Sequence, residues 1–248
     1  MLELLAVAAA GAAAGASNAI AGAGSLITFP TLVALGVPAL SANVTSTVGL
    51  IPGAVGGAYG YLDLLTDRRD RLFRLAIPSL AGAIVGTALL LITANSTFEV
   101  IVPFLVAGSC LLLLFQPRLT ARISQAGNEH SPLLTVGLLF AGAYAAYFGS
   151  AVGILLLGLL GLFVADSMQR LNGMKIVLAG LANLLAAIAY AFLATVDWRY
   201  AIALMISSLI GGQLGARLAR RISGDTLRVA IAIVGLVVAG VLAWRVFA

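Results

Sequence analysis

Apolar residues along this chain fall in long unbroken runs, with the charged residues collected in the short stretches between them. The runs cover about 2–36, 44–64, 73–94 and 98–116, then about 131–165, 171–195, 199–222 and 226–247. Most reach the roughly 20 residues that cross a bilayer. They are rich in Leu and Ala and do not alternate, so they predict helices rather than barrel strands, the two forms whose backbone can satisfy itself in lipid. The order of the runs also repeats: one long and three short, twice over. One constant offset joins Asn43 with Asn172, Tyr61 with Tyr190, and Gly82 and Gly86 with Gly211 and Gly215. A slightly smaller one joins Gly15 with Gly142 and Gly22 with Gly149. The chain therefore reads as a first transmembrane repeat over 1–116, a cytoplasmic linker over 117–130 and a second repeat over 131–248.

Charge placement gives the topology. Arg68, Arg69, Arg71 and Arg74, the linker's Arg118 and Arg122, and Arg217, Arg220, Arg221 and Arg228 all belong on the cytoplasmic side, where loops carry excess Lys and Arg. Run 73–94 then points outward and its counterpart 199–222 points inward, so the halves are inverted. For the rest to fit, each long first run must begin and end on one side, as two short crossings or a re-entrant hairpin. The interruption falls near Gly11, Gly15, Gly22 and Gly24 in one half and Gly142, Gly149 and Gly153 in the other. The fold class is an all-α polytopic membrane protein of two inverted-topology repeats, each a broken or re-entrant first element followed by three transmembrane helices. Both termini come out non-cytoplasmic.

Composition agrees. Of the 248 residues, 62% are hydrophobic and 9% charged, against about 25% charged in soluble domains. The net charge of +5 is orientation charge, so no nucleic-acid partner is expected. Cys110 is the only cysteine, which rules out a disulfide framework or a cysteine metal site. The apolar start lacks the basic leader of a cleavable signal and reads as retained structure.

Inverted repeats with Gly-interrupted first elements are a pattern of secondary transporters, whose broken helices turn their N-termini toward an anion near the midplane. The polar residues at and after the breaks are therefore the candidate site. These are Ser17, Asn18, Ser25 and Thr28 with Asn43, Thr45, Ser46 and Thr47 in the first half, and Tyr144, Tyr147, Ser150, Asn172 and Lys175 in the second. Lys175, the only lysine, sits a few residues into an apolar run, and helical spacing puts Asn172, Lys175, Ala179 and Asn183 on one face. An ammonium at that depth faces a partner or a watery cavity, or else snorkels to the interface. Gln213 is a further candidate. Gly82-xxx-Gly86 and Gly211-xxx-Gly215 read as close-packing faces, Trp198, Tyr200 and Trp244 as interfacial anchors, and His130 as a solvated loop residue. The carboxylates all fall at the ends of runs or in the loops between them, which argues against an Asp/Glu proton relay.

Gly22 to Pro30 (GAGSLITFP), Gly36 to Thr47 (GVPALSANVTST), Tyr147 to Gly153 (YFGSAVG), Lys175 with Asn183, and Gly211 to Arg217 (GGQLGAR) together resemble the sulfite exporter TauE/SafE family over essentially the whole chain. The second block departs from the family's usual glycine run at Ser150 and Ala151. The resemblance implies a multi-pass plasma (inner) membrane permease, not an enzyme, moving a small anion such as sulfite, a sulfonate or a related organosulfur anion. It implies no cofactor and no metal. The expected partners are the anionic substrate and the bilayer, and a homo-oligomer is compatible with the sequence. An anion channel and an intramembrane hydrolase using Ser25 or Ser150 are the alternatives. The hydrolase lacks a base, since the one histidine lies in the linker. Topology reporters fused at residues 1, 95, 197 and 248 should read non-cytoplasmic and one at 125 cytoplasmic; a cytoplasmic C-terminus would overturn the scheme.

Overall fold

The computed structural model describes residues 1–20, 22–59, 61–121, 128–218 and 224–247, and the regular elements among them are all helical. The first half holds α1 (Leu2–Ile20), α2 (Ser25–Ala34), α3 (Ala39–Tyr59), a one-turn α4 (Leu62–Leu65) that continues as a 3-10 turn, α5 (Arg69–Ile92) and α6 (Asn95–Ala121). The second holds α7 (Pro132–Tyr147), α8 (Val152–Phe163), α9 (Met168–Leu193), α10 (Trp198–Leu218) and α11 (Gly224–Phe247). Among the described residues, Asp63–Ile92, Asn95–Gln116 and Met168–Leu193 are long and apolar enough to cross a membrane. The boundaries have local causes. Ser131 and Ser167 cap α7 and α9, accepting from Leu133 N and Arg170 N. Gly36, at φ +87°, ends α2 in the left-handed conformation a glycine tolerates.

Both long runs break in two. At about 1.5 Å per residue, α2 and α8 span roughly 15 and 18 Å, about half of a ~30 Å hydrocarbon core. Each therefore returns toward the side from which its hairpin started. At one end of the bundle, Tyr200 Oη donates to Glu3 Oε2 at 3.0 Å, Leu40 N to Asn95 Oδ1 at 3.4 Å, and Asp197 N to Thr45 Oγ1 at 2.9 Å. The start of α1 and the chain after α2 thus lie together. At the other end, Arg71 pairs with Glu129, before α7, at 2.8 Å and with Asp166, after α8, at 2.9 Å. Arg170 pairs with Asp67 at 3.0 Å.

Several boundaries differ from the sequence reading. The described interruptions occupy residues 22–24 and 148–151, while Gly11, Gly15 and Gly142 lie inside helices and Gly153 in the first turn of α8. Helix α3 begins at Ala39 rather than near 44. Helix α6 runs on to Ala121 and absorbs much of the predicted linker; the Arg118 side chain and Arg122 lie outside the described residues, as do the side chains of Arg217, Arg220, Arg221 and Arg228. Arg69, Arg71 and Arg74 open α5 instead of occupying a loop. Tyr200 is buried on Glu3 rather than anchored at an interface, whereas Trp198 and Trp244 are exposed. His130 accepts from Arg74 Nη1 at 2.7 Å.

The mid-helix glycines explain the packing. Lipid tails give helices no hydrophobic reason to associate, so close backbone approach matters. A Cβ on Gly82 or Gly86 of α5 would run into the carbonyls of Leu139 or Ala143 of α7, and one on Gly142 into that of Ser79. Helices α1 and α10 pack the same way, Gly15 against the Ser208 carbonyl and Gly211 against Ala12. Ser79 of α5 meets Gly142 as Ser208 of α10 meets Gly15, and Gly82 meets Leu139 as Gly211 meets Ala12. Gly215 lies outside the residues whose surroundings are described. The remaining large contacts are α3 with α10, α5 with α9, α3 with α9, and α6 with α11.

Gly82→Val, which drives a branched side chain into the α7 backbone, should destabilise the protein by about 1–3 kcal/mol. Gly108→Ala, whose Cβ meets nothing within 4 Å, should not. Thermal unfolding of the purified variants in one detergent separates the two.

Candidate functional site

Each break is built from a few local bonds. After α1, Gly22 sits at φ +71° and its N–H reaches Ser17 O at 3.1 Å, while Gly24 N donates to Asn18 Oδ1 at 2.7 Å. A Cβ on Gly24 would press on the Ala14 carbonyl and the Asn18 amide, so the chain has folded back on the helix it just left. After α7, Phe148 N and Gly149 N both donate to Tyr144 O, at 3.0 and 2.9 Å. Gly149 is at φ +75° and Ala151 at φ +58°. Ala151 has a Cβ in a region that suits glycine and is strained there, at a position where the sequence departs from the family's glycine run.

The two breaks meet. A Cβ on Gly22 would lie 3.4 Å from Gly153 Cα, and the Ser25 and Ser150 hydroxyls share a 2.8 Å hydrogen bond. The first turns of α2 and α8 thus face one another across the halves. Neither N-cap residue, Gly24 or Ala151, makes a side-chain cap bond; Leu26 N and Ile27 N bond the Ala23 and Gly24 carbonyls and Ile154 N that of Ala151, and each start carries the positive end of a helix dipole.

Beside this junction lies a cavity with about 90 Å³ open inside it, where one water needs about 10–15 Å³ on the same measure. Its polar wall is Asn18, Ser25, Thr47, Lys175 and Asn183 with the backbone of Gly22, Gly149 and Gly153. Its apolar wall includes Leu50, Ile51, Ala54, Phe148 and Ile176. Lys175 is only 5% exposed, and its Nζ donates to Asn172 Oδ1 at 2.9 Å. Among the described residues no carboxylate lies within ion-pair distance of it. Its methylenes run beside Gly153, at 3.5–3.7 Å from where a Cβ would sit.

The predicted site residues therefore divide. Asn18, Ser25, Lys175, Asn183, Gly22, Gly149 and Gly153 line the cavity. Ser150, Asn172 and Gly24 hold residues that do. Thr28, Asn43, Thr45, Ser46 and Tyr147 serve helix joints instead: the Thr28 and Ser46 hydroxyls bond each other, and Asn43 Nδ2 donates to Tyr147 O at 2.9 Å. Thr45 accepts from Asp197 N, and Tyr147 Oη lies 3.3 Å from Thr93 Oγ1. Gln213 is exposed on α10, away from the cavity. Tyr144 bonds Ser109 at 2.6 Å. Phe148 was not singled out by the sequence reading, although it lines the cavity and packs edge-on against Phe29, 5.7 Å between centroids. Its signal was an aromatic directly before a break glycine. No group of three or more His, Cys, Asp or Glu able to hold a metal occurs among the described residues.

The family model described as sulfite exporter TauE/SafE matches residues 7–242. A probable membrane transporter protein of Haemophilus influenzae is 26% identical over 208 residues, 81% of this chain and 79% of its own length. A second, ORF9 of Sinorhizobium sp, is 25% identical, covering 91% of this chain and 87% of its own. A third, YfcA of Escherichia coli K12, is 22% identical over 90% and 83%. These matches, with the apolar helices, identify a membrane transporter.

Asn18→Ala removes the acceptor that holds the Gly24 N–H at the first break. It should lower stability by about 1–3 kcal/mol, the penalty of an unsatisfied buried donor, read as a drop in unfolding temperature.

Proposed function

The chain belongs to the sulfite exporter TauE/SafE family, and we propose that it is a secondary transporter that moves a small anion across the plasma membrane, with sulfite, sulfonates and related organosulfur anions as the candidate substrates. One observation carries this reading: a buried ammonium with no carboxylate partner among the described residues shares a cavity with the starts of two helices. An unpaired charge out of water is costly. An anion arriving between Lys175, the N–H groups of α2 and α8, and the Asn18, Ser25 and Asn183 side chains offsets that cost with charge-assisted hydrogen bonds. Phosphate and sulfate-like groups suit helix N-termini for the same reason.

The transport cycle is alternating access between two inverted repeats. Support comes from the exchange of packing partners: α1 lies on α10 where α7 lies on α5, and α3 on α10 where α5 lies on α9. The two hairpins also start from opposite ends of the bundle. Carboxylates of the described segments, including Asp67, Glu129 and Asp166 at one end and Glu3 and Asp197 at the other, leave the cavity free of negative charge. The hydrolase alternative finds no base: among the described residues the Ser25 and Ser150 hydroxyls bond each other and no His, Asp, Glu or Lys side chain. A channel would need an open path, whereas beside the cavity Asn43 bonds Tyr147 and Phe148 packs edge-on against Phe29.

Lys175→Met should abolish saturable sulfite flux in proteoliposomes, and Lys175→Arg should weaken it. Loss of one charged hydrogen bond of about 1.5–3 kcal/mol corresponds to roughly ten- to a hundredfold in affinity. Unchanged flux in both variants removes Lys175 from the mechanism. A thermal-shift panel of sulfite, thiosulfate, sulfate, sulfoacetate, taurine and small carboxylates should respond to anions; a response confined to uncharged ligands overturns the anion reading.

A further inference from the structure

A second hollow of about 170 Å³ lies between α3 and α9, next to the cavity. Its walls are apolar, with Val55, Val177, Leu181 and Leu184 among them, and it faces the bilayer, since Val55 is 55% exposed and Tyr59 at its edge 78%. Ile51, Ala54 and Gly180 line both hollows, so the polar cavity and the lipid-facing groove share one wall.

Gly180 is the thin point of that wall. A glycine inside a helix is less favourable than alanine, and two ordinary reasons offset that: a left-handed backbone or a close helix contact. Neither applies. Gly180 is not among the glycines of positive φ, and a Cβ there would meet no atom within 4 Å. Gly57 on α3, which also lines the cavity, is nearly as open, its Cβ position lying 4.0 Å from Ile176. Gly108, Gly158 and Gly240 are equally open, but none of them lines the cavity or the groove.

We propose that Gly180 is a specificity-determining residue: it keeps a side passage open between the cavity and the groove, through which an anion held at Lys175 extends a hydrocarbon substituent between α3 and α9. This rests on the reading of the Lys175 cavity as the anion site. Selectivity among anions of equal charge is then set by the tail. The cavity alone receives the head, while the groove rewards each added methylene with about 0.8 kcal/mol of burial, a fourfold gain in affinity.

The test is the affinity of straight-chain alkylsulfonates from methane- to pentanesulfonate, with sulfite as the tail-less probe, for the full chain in nanodiscs. It compares wild type with Gly180→Leu, which fills the passage, and Gly180→Ala, which adds one methyl to open space and keeps the helix. The readout is the ratio of pentane- to methanesulfonate affinity within each protein. A ratio rising severalfold per methylene in wild type, reduced in Gly180→Ala and near one in Gly180→Leu, is the expected result. Sulfite binding with no chain-length gradient in wild type overturns the inference and leaves the anion site standing. An equal gradient in all three proteins also overturns it, because the tails then lie in the lipid rather than in the groove. Absence of binding by every anion, sulfite included, overturns the anion site itself and the passage with it.

Discussion

Backbone groups that leave a helix inside a bilayer have no water to bond, so an interruption survives there only if protein surrounds it or a cavity serves it. The two interruptions at residues 22–24 and 148–151 meet this condition together. Asn18 serves Gly24, Tyr144 serves Gly149, and the Ser25–Ser150 pair joins the loops. Ser25 at the start of α2, and Val152 and Gly153 at the start of α8, line the same cavity as Lys175. The polar character of the site thus follows from the geometry of broken helices, and the lysine adds to a field the backbone already supplies.

The hairpins are held by a pair of glycine-mediated contacts whose own residues are not among those lining the cavity. Helix α1 is pressed onto α10, and α7 onto α5, by positions where a methyl group would strike a carbonyl. Each hairpin is therefore fixed by the other half of the chain. The ionic cluster of Arg71, Glu129, Asp166, Arg170 and Asp67 fastens one end, and the bonds from Asn43, Thr45 and Glu3 fasten the other. Polar residues here divide into those that close joints and those that face the cavity.

That division is where sequence reading reached its limit. Run lengths and arginine placement located the helices and required each first run to turn back, because hydropathy and charge act locally along the chain. They did not separate packing glycines from breaking ones: Gly15 and Gly142 look like Gly22 and Gly149 until the neighbouring helix is in place. Likewise Lys175 and Asn183 could be found from one helical face, while Asn43 and Thr45, polar at a helix start, turned out to tie helices together. Gln213 carried a polar side chain at a promising position on a helix whose facing direction only packing decides. Phe148 was passed over because an aromatic in a membrane protein signals little by itself.

The crossed pairing of hairpins and helices also bears on how the chain is made. Helix α1 leaves the ribosome early, but the surface that fits its glycines, on α10, is synthesised nearly last. Until then the small-residue face of α1 must wait in lipid or in the insertion machinery without its mate, whereas α7 finds α5 already in place. The second hairpin can therefore settle as it is inserted and the first cannot. The junction of the two breaks is a late product of biogenesis, assembled only when the later helices return to enclose the first.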